Sequence, residues 1–383
     1  MNILIINIWD TIETTGGAEK IFCEMSNELV SRDHIVTALC VDRNEGKPKF
    51  YVDPRVKFLN AGLVKLPWYY SKTVRNIRCW TPFAKKRREI RAKYNAQALA
   101  YRINKVVDIN DIDVVVSFQP QSAYSVIEYL NFKKTVITMT HNNVELTYSS
   151  LPDQVKKVLQ KHSLIHVYLK QFREDVKLYL PKADICVIPN SVPQVDYESN
   201  LKCKTIICIG RVIPSKRQDL LINAFALIAD KYYDWNVVFF GDVKVCPQYF
   251  QYLKDLIEKL KLTSKVKFCG VTLNPYVELE KASIFAFPSE SEGWGLALTE
   301  AMSVGLPCVG CKDCSSVNSL IRNRENGLLC EPNSNSFAAS LSYLIGSYDL
   351  RVQLGQVARN DMKQYAKKVI WDEWEMLLCN LRK

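Results

Sequence analysis

Short apolar runs alternate with amphipathic stretches along almost the whole chain, and that alternation limits the fold more than any other feature. Asn2–Ile8, Val36–Val41, Asp113–Phe118, Thr135–Thr140 and Ile185–Pro189 are rich in β-branched and apolar residues. Thr205–Gly210, Asn236–Gly241, Lys265–Gly270, Ile284–Pro288 and Pro307–Gly310 repeat the pattern. Strands that are apolar on both faces must be covered on both, which is the arrangement of a parallel sheet packed between helices. Ala18–Arg32, Gln218–Lys231 and Gln248–Lys261 carry apolar residues at helical spacing and would supply those helices. At 383 residues the chain is long enough for two such domains. The Pro189-Asn190-Ser191 turn, followed by the polar Gln194–Lys204, marks the boundary. The expected architecture is therefore α/β, with two doubly wound domains over 1–190 and 191–365 facing each other across a cleft. Ligands should bind at the C-terminal ends of the strands, where the strand order reverses. A helix over about 366–383, containing Trp371 and Trp374, could pack back onto the first domain.

Apolar residues make up 48% of the chain and charged ones 24%, which excludes disordered, collagenous and coiled-coil classes. The 13 cysteines show no small-scaffold spacing and read as reduced thiols. Cys308-x2-Cys311-x2-Cys314 invites an iron–sulfur reading, but the next cysteine, Cys330, lies 16 residues beyond, and Cys308 sits in an apolar strand. An iron–sulfur cluster is therefore not expected. The N-terminal MNILIINI lacks the basic start of an export signal and reads as a buried strand. No apolar stretch approaches the roughly 20 residues that span a bilayer, so the expected location is cytoplasmic.

The formal net charge is +11, and it is concentrated. Lys72–Lys105 holds 11 basic residues against one acidic, Glu89, so this segment alone carries 11 − 1 = +10. Trp68, Tyr69, Tyr70, Trp80, Phe83 and Tyr94 are interleaved with the cations. Aromatic residues mixed with Lys and Arg suit an anionic bilayer surface, and a lipid-linked pyrophosphate would be attracted by the same field. Nucleic acid is not the expected partner, because no recognised nucleic-acid motif accompanies the charge.

The segment richest in chemistry is Phe287-Pro-Ser-Glu-Ser-Glu-Gly-Trp-Gly-Leu-Ala-Leu-Thr-Glu-Ala-Met302. A strand ends at Pro288, a turn containing Gly293 and Gly295 follows, and a helix begins near Leu296. Glycines allow close approach of backbone to ligand, and a helix start offers unpaired N–H groups to an anion. Glu292 and Glu300 are eight residues apart, so two carboxylates could accept hydrogen bonds from sugar and ribose hydroxyls.

Glu292-x7-Glu300 within S-E-G-W-G-L-A-L-T-E-A-M-S-V-G-L-P resembles the signature of the retaining glycosyltransferases of family 4, which have the two-Rossmann-domain fold called GT-B. Gly16-Gly17-Ala18-Glu19 resembles the family's glycine-rich loop after the first strand, and Pro189-Asn190-Ser191-Val192 its interdomain hinge. Gly210-Arg211 with Lys216 resembles its phosphate clamp. The resemblance implies that Arg211 and Lys216 hold the donor diphosphate without a metal and stabilise the charge of the departing nucleotide. Gly16 and Gly17 would add backbone N–H donors. Glu300 would bind the ribose, and Glu292 would contact the transferred sugar. His141 falls where the family often has a histidine near the reacting face of that sugar. Gly270-Val271 corresponds to the segment that reads the base, and Gly293, Trp294, Gly295 and Leu296 form the turn against the donor. Two positions depart from the family pattern: Gly241-Asp242-Val243 stands where G-D-G is common, and Trp294 stands where phenylalanine is commoner.

What the resemblance implies is transfer of a hexose or N-acetylhexosamine from a nucleotide sugar, a UDP-sugar first of all, to a lipid-linked or oligosaccharide acceptor. The setting would be surface polysaccharide synthesis (lipopolysaccharide or capsule) at the inner face of the plasma membrane. Two alternatives stay open: a sugar-nucleotide epimerase of the same fold, for which four histidines are a thin acid/base supply, and a basic nucleic-acid-binding protein.

Overall fold

The computed structural model of the chain describes residues 1–69 and 84–381. The chain divides into two compact units, Met1–Pro189 together with Met376–Lys383, and Asn190–Glu375.

The first unit runs β1 (Asn2–Asn7), α1 (Gly17–Ser31), β2 (Ile35–Cys40), β3 (Lys57–Asn60), α2 (Ala84–Val106), β4 (Val114–Ser117), α3 (Pro120–Tyr129), β5 (Thr135–Met139), α4 (Val144–Tyr148), α5 (Asp153–His162), β6 (Leu164–Val167), α6 (Phe172–Tyr179) and β7 (Asp184–Val187). Its seven strands are ordered β3-β2-β1-β4-β5-β6-β7, and the paired strands are parallel. Ile3–Ile6 in β1 and Val114–Val116 in β4 are almost wholly shielded from water, as two-sided coverage by helices requires. Phe22 of α1 meets Phe118, just beyond β4, edge to face at 5.5 Å.

The second unit runs β8 (Thr205–Ile209), α7 (Gln218–Ala226), β9 (Asn236–Phe240), α8 (Pro247–Lys259), β10 (Val266–Phe268), α9 (Pro275–Glu280), β11 (Ile284–Phe287), α10 (Leu296–Ser303), β12 (Cys308–Cys311), α11 (Ser315–Leu320), β13 (Gly327–Cys330), α12 (Ser334–Ile345) and α13 (Tyr348–Asp361); α14 (Lys367–Asn380) starts in this unit, and its residues from Met376 on are counted with the first. The strand order β10-β9-β8-β11-β12-β13 is again parallel throughout. Leu221, Phe225, Val237, Phe239, Ile284 and Phe337 lie at the centre of its core. Proline opens α3, α8 and α9, where its fixed φ suits a helix start and its missing N–H costs nothing.

Each sheet reverses its order once, between β1 and β4 in the first unit and between β8 and β11 in the second. These are the places where a doubly wound sheet leaves a crevice at the strand ends. Three strands go beyond the sequence expectation: β3, β6 and β13. The helix expected over Gln218–Lys231 ends at Ala226, and the following residues to Asp234 form turns. Among the described residues no helix is long and apolar enough to cross a membrane, and the cysteines are free thiols. Of the basic segment, Lys72, Arg75 and Arg78, with Tyr70, Trp80 and Phe83, lie outside the described residues.

Candidate active site

In the second unit, β8 delivers Gly210 and Arg211 to the end of the sheet. Gly241, at the end of the neighbouring β9, comes so close that a Cβ there would lie 1.9 Å from the Gly210 carbonyl oxygen. Glycine at 241 is thus a packing requirement, and it fixes the backbone immediately before Arg211. The Arg211 side chain is exposed, while its carbonyl accepts from the buried Gln218 Nε2 at 2.9 Å. A short 3-10 turn, Pro214–Lys216, then carries Lys216 into direct contact with the Glu292 carboxylate. Their side chains are only 15% and 13% exposed, so this pair is largely withdrawn from water.

Arg217 follows in a left-handed conformation, with φ at 49°. Its guanidinium pairs with Asp313 at 2.6 Å and Glu290 at 3.4 Å. The Glu290 N–H also donates to the Ser215 carbonyl at 3.0 Å. The loops after β8, β11 and β12 are therefore stitched together at the point where the strand order reverses. Local sequence gave no sign of the Arg217 contacts, which join residues 73 and 96 positions apart.

The turn after β11 places Gly293, Trp294 and Gly295 in buried positions, and Trp294 packs edge to face on Tyr365 at 5.0 Å. Gly295 has φ at 93°, a conformation that favours glycine, and Leu296 opens α10 directly after it. Glu300, one turn into α10, is buried, 7% exposed. At the far side of the sheet, Gly270 also has positive φ, its carbonyl accepts from the Gly241 N–H at 2.7 Å, and Val271 is half exposed. Beneath the Lys216–Glu292 pair, burial pushes the Cys208 thiol up to about 12, so it stays protonated.

The first unit holds the remaining sequence-predicted residues. Gly16 is the extended residue before α1, and Gly17 is its first. The loop leading to them is anchored by Asp42, whose carboxylate accepts from the Thr11 and Ile12 N–H groups at 2.7 Å each. Burial acts against ionisation of Asp42, but these N–H groups and that of Asn44 outweigh it and hold the carboxyl below its usual range. His141 lies two residues beyond β5, stacked on Phe118 with ring centroids 4.3 Å apart, and its Nδ1 is 2.5 Å from the Tyr168 hydroxyl. Among the described residues, no group of three or more His, Cys, Asp or Glu side chains is placed to hold a metal ion.

Residues 193–361 match the family model described as glycosyl transferases group 1. An uncharacterised glycosyltransferase of Haemophilus influenzae is 25% identical over 372 residues, covering 96% of this chain and 97% of that protein. This chain is a glycosyltransferase. A Campylobacter jejuni protein named as an N-acetylgalactosaminyltransferase acting on a diphospho-undecaprenol glycan is 31% identical over 180 residues, 46% of this chain and 47% of that protein. The solved structure of Staphylococcus aureus TarM, in complex with UDP among other ligands, superposes with a TM-score of 0.77 at 16% identity, covering 100% of this chain and 99% of that one. That likeness identifies the fold of the glycosyltransferase as GT-B.

Proposed function

We propose that the enzyme transfers a hexose or N-acetylhexosamine from a UDP-sugar, with retention of configuration, to a lipid-linked or oligosaccharide acceptor in surface polysaccharide synthesis. The observation that carries this reading is the Lys216–Glu292 contact beside Arg211, where the second sheet reverses its order. A nucleoside diphosphate gains negative charge as it leaves, and two fixed cations stabilise that charge more in the transition state than in the ground state. In the free enzyme Lys216 is neutralised by Glu292. A bound diphosphate takes over Lys216 and releases Glu292 to accept hydrogen bonds from the sugar. Glu300 then serves the ribose hydroxyls, Gly16 and Gly17 offer backbone N–H groups, and the Val271 segment lies against the base. The solved relative that holds UDP supports the choice of nucleotide. The relative named for a diphospho-undecaprenol glycan supports a lipid-linked acceptor.

The α2 helix begins with Lys85, Lys86, Arg87 and Arg88, all exposed, and has no acidic residue in its first turn. Cations at a helix N-terminus are unfavourable unless an anion compensates them. Lys85 has such a partner in Asp153, 2.7 Å away, and Trp68 is strongly exposed. An anionic membrane surface on the cytoplasmic side would compensate the rest.

Release of UDP from a panel of UDP- and GDP-sugars, with and without a lipid-linked acceptor and in the presence of EDTA, tests the reading. Acceptor-dependent UDP release that survives EDTA and is lost in Arg211→Ala is the expected result. A strict requirement for Mg²⁺ or Mn²⁺, or full activity in Arg211→Ala, overturns it. Replacing Lys86, Arg87 and Arg88 by Ser should weaken sedimentation with anionic vesicles while UDP affinity stays unchanged.

A further inference from the structure

Three neighbouring strands of the first sheet, β4, β5 and β6, each leave an aromatic ring just past their C-terminal ends: Phe118, His141 and Tyr168. The imidazole of His141 stacks on Phe118 at an interplanar angle of 27°, so one ring face is occupied. Its Nδ1 lies 2.5 Å from the hydroxyl of Tyr168, a residue only 2% exposed. The direction of that hydrogen bond follows from acidity. A phenol with a pKa near 10 is a far better proton donor than a neutral imidazole N–H, and an imidazole nitrogen is a far better acceptor than a phenol oxygen. Tyr168 therefore donates and Nδ1 accepts, which leaves the ring proton on Nε2. That Nε2 is buried and has no hydrogen-bond partner among the described residues. A buried N–H without an acceptor is unfavourable, so the arrangement is incomplete until something with an oxygen lone pair accepts from it.

We propose that Tyr168 is a positioning residue that fixes His141 as the Nε2–H tautomer, a neutral donor for an oxygen of the bound glycosyl donor. This rests on the reading of His141 as a residue near the transferred sugar. A neutral donor fits that place better than an imidazolium, which would add charge beside a hydroxyl-rich ring and change with pH. Burial, aided by the nearby His166, pushes the imidazole down to about 3, so no part of the physiological range protonates it. His166 itself is neutral there, pushed down by burial to about 4. The sequence separation of 27 residues hides the pairing from any local pattern.

Tyr168→Phe keeps the ring and its packing and removes only the hydroxyl. The chain has four histidines, so ¹⁵N-labelled imidazole spectra can be assigned with a His141→Asn variant. The wild type should show Nε2 protonated and Nδ1 bare, unchanged between pH 5 and 8. In Tyr168→Phe the signature should move to a mixture of tautomers, and kcat with the UDP-sugar that supports turnover should fall about tenfold while UDP affinity is retained. Protonated Nδ1 in the wild type overturns the proposal, and so does an unaltered tautomer in the variant. A shifted tautomer with full turnover overturns the positioning role and leaves the donor reading intact. Failure of the donor reading shows separately, as a wild type that releases no UDP from any sugar nucleotide.

Discussion

Removing Lys216 should harm the free protein as well as the reaction, because Glu292 then loses its counter-charge. Two unit charges in contact near a protein surface attract by about 4 kcal/mol at an effective dielectric constant of about 20. Desolvation offsets much of this. Exposed pairs come out at roughly 0–1 kcal/mol, whereas breaking a buried pair from one side costs roughly 3–5 kcal/mol. With side chains 15% and 13% exposed, the Lys216–Glu292 pair sits midway between these limits. Lys216→Met and Glu292→Gln should each cost about 2 kcal/mol. The double variant should cost about the same, because neither charge is then left alone, so the coupling energy is also about 2 kcal/mol. For a unit of this size each kcal/mol lowers Tm by about 2–4 °C, which puts both single variants about 4–8 °C below wild type. Urea and thermal unfolding of the full chain, followed for all four members of the cycle, measure this. Losses that add within about 0.5 kcal/mol would refute the reasoning, since they would mean that the two charges do not share one desolvated contact.

Gly241→Ala should cost about 2–3 kcal/mol and weaken UDP binding, because its Cβ would collide with the Gly210 carbonyl beside Arg211. Gly210→Ala, where a Cβ meets nothing within 4 Å, is the control that should change little. Acid should destabilise the first unit through His141 and His166. Both have native pKa values well below the unfolded value of about 6.5, so stability is complete above that pH and is lost as pH falls toward 4 for His166 and 3 for His141. His166 alone accounts for roughly 3 kcal/mol of this. A urea midpoint that is flat from pH 7 to 4.5, or that falls as steeply in His166→Asn, contradicts it.

Much of this molecule was legible from local pattern. The strands that are apolar on both faces, such as Ile3–Ile6 and Val237–Phe240, announced parallel sheets because nothing else covers such segments. The missed strands lacked that signal. Lys57–Asn60 is a half-exposed edge strand, Gly327–Cys330 is short and opens on glycine, and Leu164–Val167 contains His166, which is fully buried and bonded through Nε2 to the Ile188 carbonyl. A histidine in a core strand breaks the apolar run that marks such a strand. Among the candidate site residues, Glu292 and Glu300 stand out by their spacing around the turn after a strand, whereas Arg211 and Lys216 are singled out only by the resemblance to the glycosyltransferase signature. Arg217 with Glu290 and Asp313, and Tyr168 with His141, were not legible, since those contacts join loops that meet only when the sheets are assembled.

Arg217 makes those contacts from a left-handed backbone conformation, where glycine would sit without strain. The strain costs about 1 kcal/mol, and two partly exposed ion pairs return a similar amount. Arginine and glycine are then nearly equal at this position, and what tips the balance is the charge at positions 290 and 313. In a lineage that lost both acids, glycine would become the fitter residue at 217. In a lineage that already had glycine there, arginine could enter only after an acid had appeared opposite. The three positions should therefore drift together over evolutionary time, and the order in which they change should be constrained.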